Sequence, residues 1–65
     1  MRLKSSRVKS TEYDDEEHVV HVTFKNGVKY RYEDVPPAVF KRFTTSKSPG
    51  RFVTRVLDGY EHEQE

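Results

Sequence analysis

The feature of this sequence with the most defined chemistry is a run of positive charge between positions 41 and 55. Five basic residues and no acidic residue occupy the run. They are Lys41, Arg42, Lys47, Arg51 and Arg55. Cationic side chains that share a surface bind phosphates in a salt-sensitive way and with little sequence preference. The run therefore predicts a nucleic-acid-binding surface.

A possible anion site lies inside this run, where Ser46-Lys47-Ser48-Pro49-Gly50-Arg51 has the composition of a helix start. The first N–H groups of a helix are unpaired and attract anions, and a glycine lets an anion approach the backbone. On this interpretation, Ser46, Ser48 and Gly50 form the anion site. The alternative, which we favour, is an ordinary serine cap with incidental surface charge.

Patterns typical of catalysis or metal binding are missing from the sequence. His18 and His21 would leave opposite faces of a strand, His62 lies near the end, and there is no cysteine. The carboxylates at positions 14–17 lack regular ligand spacing, and we expect a solvated turn there. The sequence thus predicts no enzyme, no cofactor and no metal site. A deep pocket holding His21 or Tyr13 would reopen the question.

A β-hairpin is predicted around Asn26-Gly27, because residues 19–24 and 28–32 alternate with period two. A two-residue loop would mix apolar and polar faces. A three-residue loop with Gly27 in the left-handed region keeps them apart. The predicted pairs are Phe24 with Val28, Val22 with Tyr30, and Val20 with Tyr32.

This register defines a second basic platform on the opposite face of the sheet. Its members are His21, Thr23, Lys25, Lys29, Arg31 and, from the first strand, Lys9. The platform lacks exposed aromatic residues on which RNA bases could stack. We expect Tyr30 and Tyr32 to point beneath the helices, with core packing favoured over stacking.

The remaining elements are one strand and two helices. A first strand is predicted over residues 7–13, without a defined register of pairing with the second strand. Val35-Pro36-Pro37 ends the third strand, and residues 37–44 predict an amphipathic helix with Val39, Phe40 and Phe43 inward. Ser48-Pro49 begins a second helix, which Asp58-Gly59 ends. Its predicted inward residues are Phe52, Val53, Val56 and Leu57.

The predicted fold is therefore α+β, a three-stranded antiparallel sheet in the order β-β-β-α-α with two short helices packed on one face. With 65 residues the chain has room for a single domain, residues 1–65. We expect an ordered core over about residues 5–60 and a frayed acidic tail at 61–65.

Charge and composition narrow the function classes further. The chain has 12 basic and 11 acidic residues, and these occur in separate blocks. Blocks of opposite sign can form one basic and one acidic face. No apolar run is long enough to span a membrane, and residues 1–11 lack the apolar stretch of a signal peptide. The absence of cysteine favours a cytoplasmic setting.

Several short motifs occur in an order and spacing that cover nearly the whole chain. They are Ser5-Ser6-Arg7-Val8, Tyr13-Asp14, Phe24-Lys25-Asn26-Gly27, Tyr30-Arg31-Tyr32, Val35-Pro36, and Ser46, Ser48, Gly50 and Phe52. This series resembles the KTSC domain, a module found alone in bacteria and phages and at the C-terminus of some lysyl-tRNA synthetases. Glu12 and Asp58 depart from the family's pattern. The company of a tRNA synthetase implies RNA binding.

Two function hypotheses follow. The first is a small non-enzymatic module that binds RNA or another nucleic acid through the basic run at 41–55. The second is a protein-interaction module, such as a bacterial or phage accessory factor that docks on a partner protein, since segregated charge suits complementary docking. The oligomeric state stays open.

Overall fold

A computed structural model of the protein describes residues 7–65. The strands are β1 (Val8–Asp14), β2 (Val19–Phe24), β3 (Lys29–Tyr32) and β4 (His62–Gln64), and the helices are α1 (Pro37–Thr45) and α2 (Pro49–Arg55). A single 3₁₀ turn, Leu57–Gly59, follows α2. Ser5 and Ser6, which belong to the first motif and to the predicted core, lie outside the described residues.

The hairpin β2–β3 has the predicted register. Val20 pairs with Tyr32 and Val22 with Tyr30. The Phe24 N–H donates to the Val28 carbonyl at 2.8 Å, and Gly27 has a φ of 91°, in the left-handed region that glycine tolerates best. The three-residue loop is therefore confirmed, and it places the apolar and basic side chains on opposite faces.

The first strand, whose register the sequence left open, pairs with β2 in an antiparallel ladder. Val8 lies opposite Phe24 and Thr11 opposite Val22, with a register shift between Val8 and Ser10. Thr11 is buried, and its hydroxyl donates to the His21 carbonyl at 2.8 Å. A buried hydroxyl needs such a partner, since leaving it unpaired costs free energy.

Both helices cover the apolar face of the sheet. Phe43 from α1 and Val53 from α2 are buried with Leu57 among the sheet residues Val20 and Tyr32. The rings of Phe43 and Phe52 stack with centroids 5.6 Å apart and so join the two helices. The predicted α+β class and the order of its elements are confirmed.

The sequence predicts Val56 in the core, and this prediction is wrong. Val56 is 36% exposed, whereas Val53 is 2% exposed. The α-helix ends at Arg55, and Val56 is the C-cap with φ −116°. Because the chain then tightens into the 3₁₀ turn, Leu57 is buried and Val56 points outward.

The sheet has a fourth strand, which lies within residues 61–65, the segment expected to fray. His62–Gln64 pairs antiparallel with β3, and the strand order is β1-β2-β3-β4. Two flanking hydrogen bonds extend the ladder, Glu33 N–H to the Glu61 carbonyl and Glu65 N–H to the Lys29 carbonyl, each 2.8 Å. The segment is held because β3 offers it an open edge.

The longest helix of the described residues, α1, has nine residues. Within residues 7–65, therefore, no helix has the length and apolar character needed to cross a membrane.

Candidate functional site

The predicted nucleic-acid-binding residues all lie on the helical layer and are all exposed. Lys41 and Arg42 belong to α1, Lys47 to the connection, and Arg51 and Arg55 to α2. We call these five residues the basic helical surface. Arg51 and Arg55 are four residues apart and share one side of α2.

None of the five is paired with a carboxylate in the part of the chain that the structure describes. There, the ion pairs join His21 to Glu65 and Arg31 to Glu33. The basic helical surface thus keeps its full charge available for a polyanion.

The start of α2 holds the residues of the predicted anion site, Ser46, Ser48 and Gly50, without the serine cap that we favoured as the alternative. Ser48 is the N-cap residue, but its side chain makes no capping hydrogen bond, and its N–H donates to Ser46 Oγ at 3.1 Å. Gly50 is buried, and a Cβ there would lie 3.2 Å from Arg7 Cβ. The side chain of Arg7 covers the backbone that an anion was expected to approach.

Arg7 spans the gap between the sheet and α2. Its Nη1 donates to Thr54 Oγ1 at 3.0 Å and to the Gly50 carbonyl at 3.5 Å. Its guanidinium carbon lies 5.7 Å from the centroid of the Phe24 ring, a cation–π contact. This close packing explains the glycine at position 50, and no local pattern predicts it because Arg7 is 43 positions away.

A groove of about 790 Å³ lies beside Arg7, between the hairpin and the end of α2. Phe24, Tyr30 and Tyr32 form its aromatic wall, and Asp58 and His62 line it from the other side. Sequence reasoning missed this groove, because its residues come from five separate parts of the chain.

Tyr32 is the buried member of that wall, with 2% of its surface exposed. Burial, assisted by the negative charge of Asp58, raises the pKa of Tyr32 to about 12. Tyr30 is half-buried and packs its edge against Phe24, 5.9 Å between centroids. Tyr32 is thus a core residue, as predicted, while Tyr30 lies at the rim of the core.

The opposite face of the sheet carries the second basic platform, and carboxylates lie close to its basic side chains. His21 Nδ1 lies 2.5 Å from Glu65 Oε1, and Arg31 pairs with Glu33 at 3.4 Å. Glu63 lies opposite Arg31 in the ladder. The carboxylates of Glu33, Glu63 and Glu65 therefore reduce the positive charge of this face.

The histidines and the acidic turn show no site for a metal. His18 lies in the turn before β2 rather than on a strand, with a φ of 56°. Asp14 Oδ1 accepts hydrogen bonds from the N–H groups of Glu16 and Glu17, at 3.0 and 3.1 Å, so this carboxylate stabilises its own turn. Across residues 7–65, no group of three potential ligands is close enough to hold an ion.

Tyr13 and His21 do not share a pocket. The Tyr13 hydroxyl donates to the Val35 carbonyl at 2.7 Å, and the Tyr13 ring stacks on Phe40. Burial raises the pKa of Tyr13, and Asp15 and Asp14 raise it further, so the hydroxyl stays protonated as a donor. Both residues have structural partners that explain their positions.

Comparison with known proteins agrees with the resemblance seen in the motifs. The family model described as "KTSC domain" matches residues 4–60. An uncharacterised protein of Stutzerimonas stutzeri is 41% identical over 55 residues, covering 85% of this chain and 78% of that protein. A protein of Tsukamurella paurometabola is 34% identical over 55 residues, covering 85% of this chain and 82% of its own length.

The fold also matches a solved structure. The crystal structure of a KTSC domain protein from Yersinia pestis aligns with a TM-score of 0.93 and 27% sequence identity. The alignment covers 100% of this chain and 93% of that one. Together with the family match over residues 4–60, these likenesses show that the chain belongs to the KTSC domain family.

Proposed function

We propose that this protein is a non-catalytic binding module that contacts RNA through the basic helical surface. The observation that carries the proposal is the set of five exposed cations on α1, α2 and their connection, none of which is paired with a carboxylate of residues 7–65. The KTSC domains that accompany lysyl-tRNA synthetases make RNA the first polyanion to test. A cytoplasmic setting is part of the proposal, and the lack of cysteine supports it.

The chemistry of this surface favours phosphate contacts over base recognition. Lysine and arginine side chains bind phosphate oxygens of any sequence. Sheet-type RNA readers instead stack bases on exposed aromatic rings, and Tyr32 is too deeply buried for that role. Binding is therefore expected to be of moderate affinity, weakly sequence-dependent and strongly salt-dependent.

The experiment is a titration of a short single-stranded RNA at two salt concentrations, followed by backbone amide shifts and by fluorescence anisotropy. The test variant is Arg51→Glu/Arg55→Glu. The matched control is Lys9→Glu/Lys25→Glu, which makes the same change of charge at two exposed positions, one on β1 and one in the hairpin turn. Both variants keep the core residues.

We expect the amides of residues 41–55 to shift in the natural protein, and the test variant to lose most of its affinity while the control keeps it. Removal of two phosphate contacts should also reduce the salt slope by roughly 1.4. Shifts confined to the sheet, or equal losses in both variants, would show that the basic helical surface is not the binding site. A parallel titration with single-stranded DNA distinguishes RNA from general polyanion binding.

A further inference from the structure

The segment that follows the 3₁₀ turn lies on the edge of β3 in the manner of a bound peptide. His62 pairs with Tyr32, Glu63 with Arg31 and Gln64 with Tyr30. The backbone bonds of Glu61 and Glu65 extend this ladder at both ends. Main-chain pairing of this kind is how extended peptides add a strand to an open sheet edge.

Side chains of β4 alternate between two chemically different surfaces. On the basic face, Glu63 lies opposite Arg31, and Glu65 reaches His21. On the other face, the His62 ring lies over Tyr32 and Tyr30, with centroids 5.2 and 6.1 Å apart. The edge of β3 therefore presents basic side chains on one face of the sheet and tyrosine rings on the other.

This segment adds no side chain to the buried core. Residues 61–65 are all exposed, whereas the buried hydrophobic residues of the described chain lie between Val8 and Leu57. Short exposed strands belong to the least stable part of a fold and open locally.

The segment also leaves Arg31 incompletely satisfied. Glu63 forms no ion pair with Arg31, whose Nη2 instead reaches Glu33 at 3.4 Å. Arg31 Nε is buried and has no hydrogen-bond partner among residues 7–65. A strand with a better-placed carboxylate would satisfy this guanidinium more fully.

From these observations we propose that the edge of β3 is a docking site for an extended acidic peptide strand of a partner protein, which replaces β4. The strand places carboxylates over His21, Lys29 and Arg31 and a ring over Tyr30 and Tyr32. The chain's own residues 61–65 act as a built-in competitor. This site is separate from the basic helical surface, and it gives the protein-interaction hypothesis a defined location.

The backbone ladder is the reason to propose a peptide rather than a nucleic acid. A polynucleotide could neutralise Lys29 and Arg31, but it has no repeating N–H and C=O groups to match those of β3. A peptide satisfies both the ladder and the charges. The resident segment shows the required pattern, with glutamates at alternate positions and a histidine between them.

The test uses the full chain and a labelled peptide with the sequence of residues 60–65, Tyr-Glu-His-Glu-Gln-Glu. A control peptide carries lysine in place of each glutamate. Glu63→Lys/Glu65→Lys weakens the resident strand by repulsion from the basic face. Glu63→Pro disrupts the same strand at a position whose N–H faces β3, because proline cannot donate to a ladder. Amide shifts of residues 29–33 and fluorescence anisotropy report binding.

We expect the acidic peptide to bind both variants at least about tenfold more tightly than the natural protein, where a tethered competitor acts at high effective concentration. Addition of Arg31→Glu to either variant should abolish this binding. Equal binding of the lysine peptide, shifts confined to residues 41–55, or unchanged affinity in both variants would overturn the proposal. So would dimer formation by the variants on sedimentation, or a larger response of residues 29–33 to RNA than to the peptide.

Discussion

The hydroxyl of Tyr13 donates a 2.7 Å hydrogen bond to the carbonyl of Val35, and this bond ties β1 to the segment that leads into α1. The two residues are 22 positions apart, and Val35 is completely buried. The Tyr13 ring adds a stacking contact with Phe40, with centroids 4.7 Å apart and planes inclined by 13°. Tyr13 thus helps to fix the position of α1 on the sheet, together with the buried Phe43.

Tyr13→Phe should destabilise the protein by about 1–2 kcal/mol, because it leaves the buried carbonyl of Val35 without its donor while the stacked ring remains. Urea denaturation measures the loss. Tyr60→Phe is the matched control, since no hydrogen bond of the Tyr60 hydroxyl is present among residues 7–65, and it should change the free energy of unfolding by less than about 0.5 kcal/mol. Equal effects of the two changes would contradict the role given to this bond.

Alkaline pH should destabilise the fold through Tyr32. Its pKa is about 12 in the folded protein and 10.0 in the reference state, so the folded state holds the proton more tightly. The stability from the neutral phenol is complete below pH 10 and is lost as the pH rises toward 12. Over that window the free energy of unfolding should fall by about 1.4 kcal/mol per pH unit from this residue.

Denaturation midpoints between pH 8 and pH 11, with tyrosinate absorbance followed in parallel, test this dependence. Tyr32→Phe removes this ionising group and should make the profile less steep, while Tyr13, whose pKa is also raised, still contributes. Asp58→Asn removes a negative charge that raises the pKa of Tyr32, and should lower that pKa. A profile that Tyr32→Phe leaves unchanged would assign the alkaline loss to other groups.

Val53 and Val56 provide a pair of identical substitutions in different environments. Val53→Ala should cost about 2 kcal/mol, because the side chain is 2% exposed and its loss leaves a cavity. Val56→Ala, at 36% exposure, should cost less than about 0.5 kcal/mol. Thermal or urea denaturation of both variants gives the comparison. Similar losses of unfolding free energy would contradict the outward position of Val56 and favour the continuous helix predicted from the sequence.

Gly27→Val should cost about 1–3 kcal/mol, because the φ of 91° places a β-branched side chain in the left-handed region. No atom lies within 4 Å of a Cβ at this position, so backbone strain alone causes the loss. Gly59 is equally open but lacks a positive φ, and Gly59→Val should cost less than about 1 kcal/mol. Equal melting temperatures for the two variants would contradict the turn assignment.

The hairpin and α1 could be predicted because their signals are local. Asn26-Gly27 with alternating neighbours defines the turn and the register, and Pro36-Pro37 marks the start of the helix. The residues that predict each element lie within a few positions of one another in the sequence. The structure confirms both elements.

The features that were missed depend on contacts between distant residues. β4 has no apolar residue, so the sequence carries no alternating hydrophobic pattern that would predict a strand there. The strand forms because the edge of β3 is open. Gly50 packs against Arg7, 43 positions away in the sequence, and this contact explains the glycine without an anion. The exposed cations of the basic helical surface were predicted correctly as exposed, but their ligand stays a proposal.

The contact between Arg7 and Thr54 bears on the kinetics of folding. It joins residues 47 positions apart and closes a loop that includes the hairpin and α1. Loop closure of this length has an entropic cost that local pairing around Gly27 avoids, so we expect the hairpin to form early and the Arg7 contact to form late. A contact made after the transition state controls how quickly the native protein opens. Thr54→Ala should therefore speed unfolding and leave the folding rate nearly unchanged.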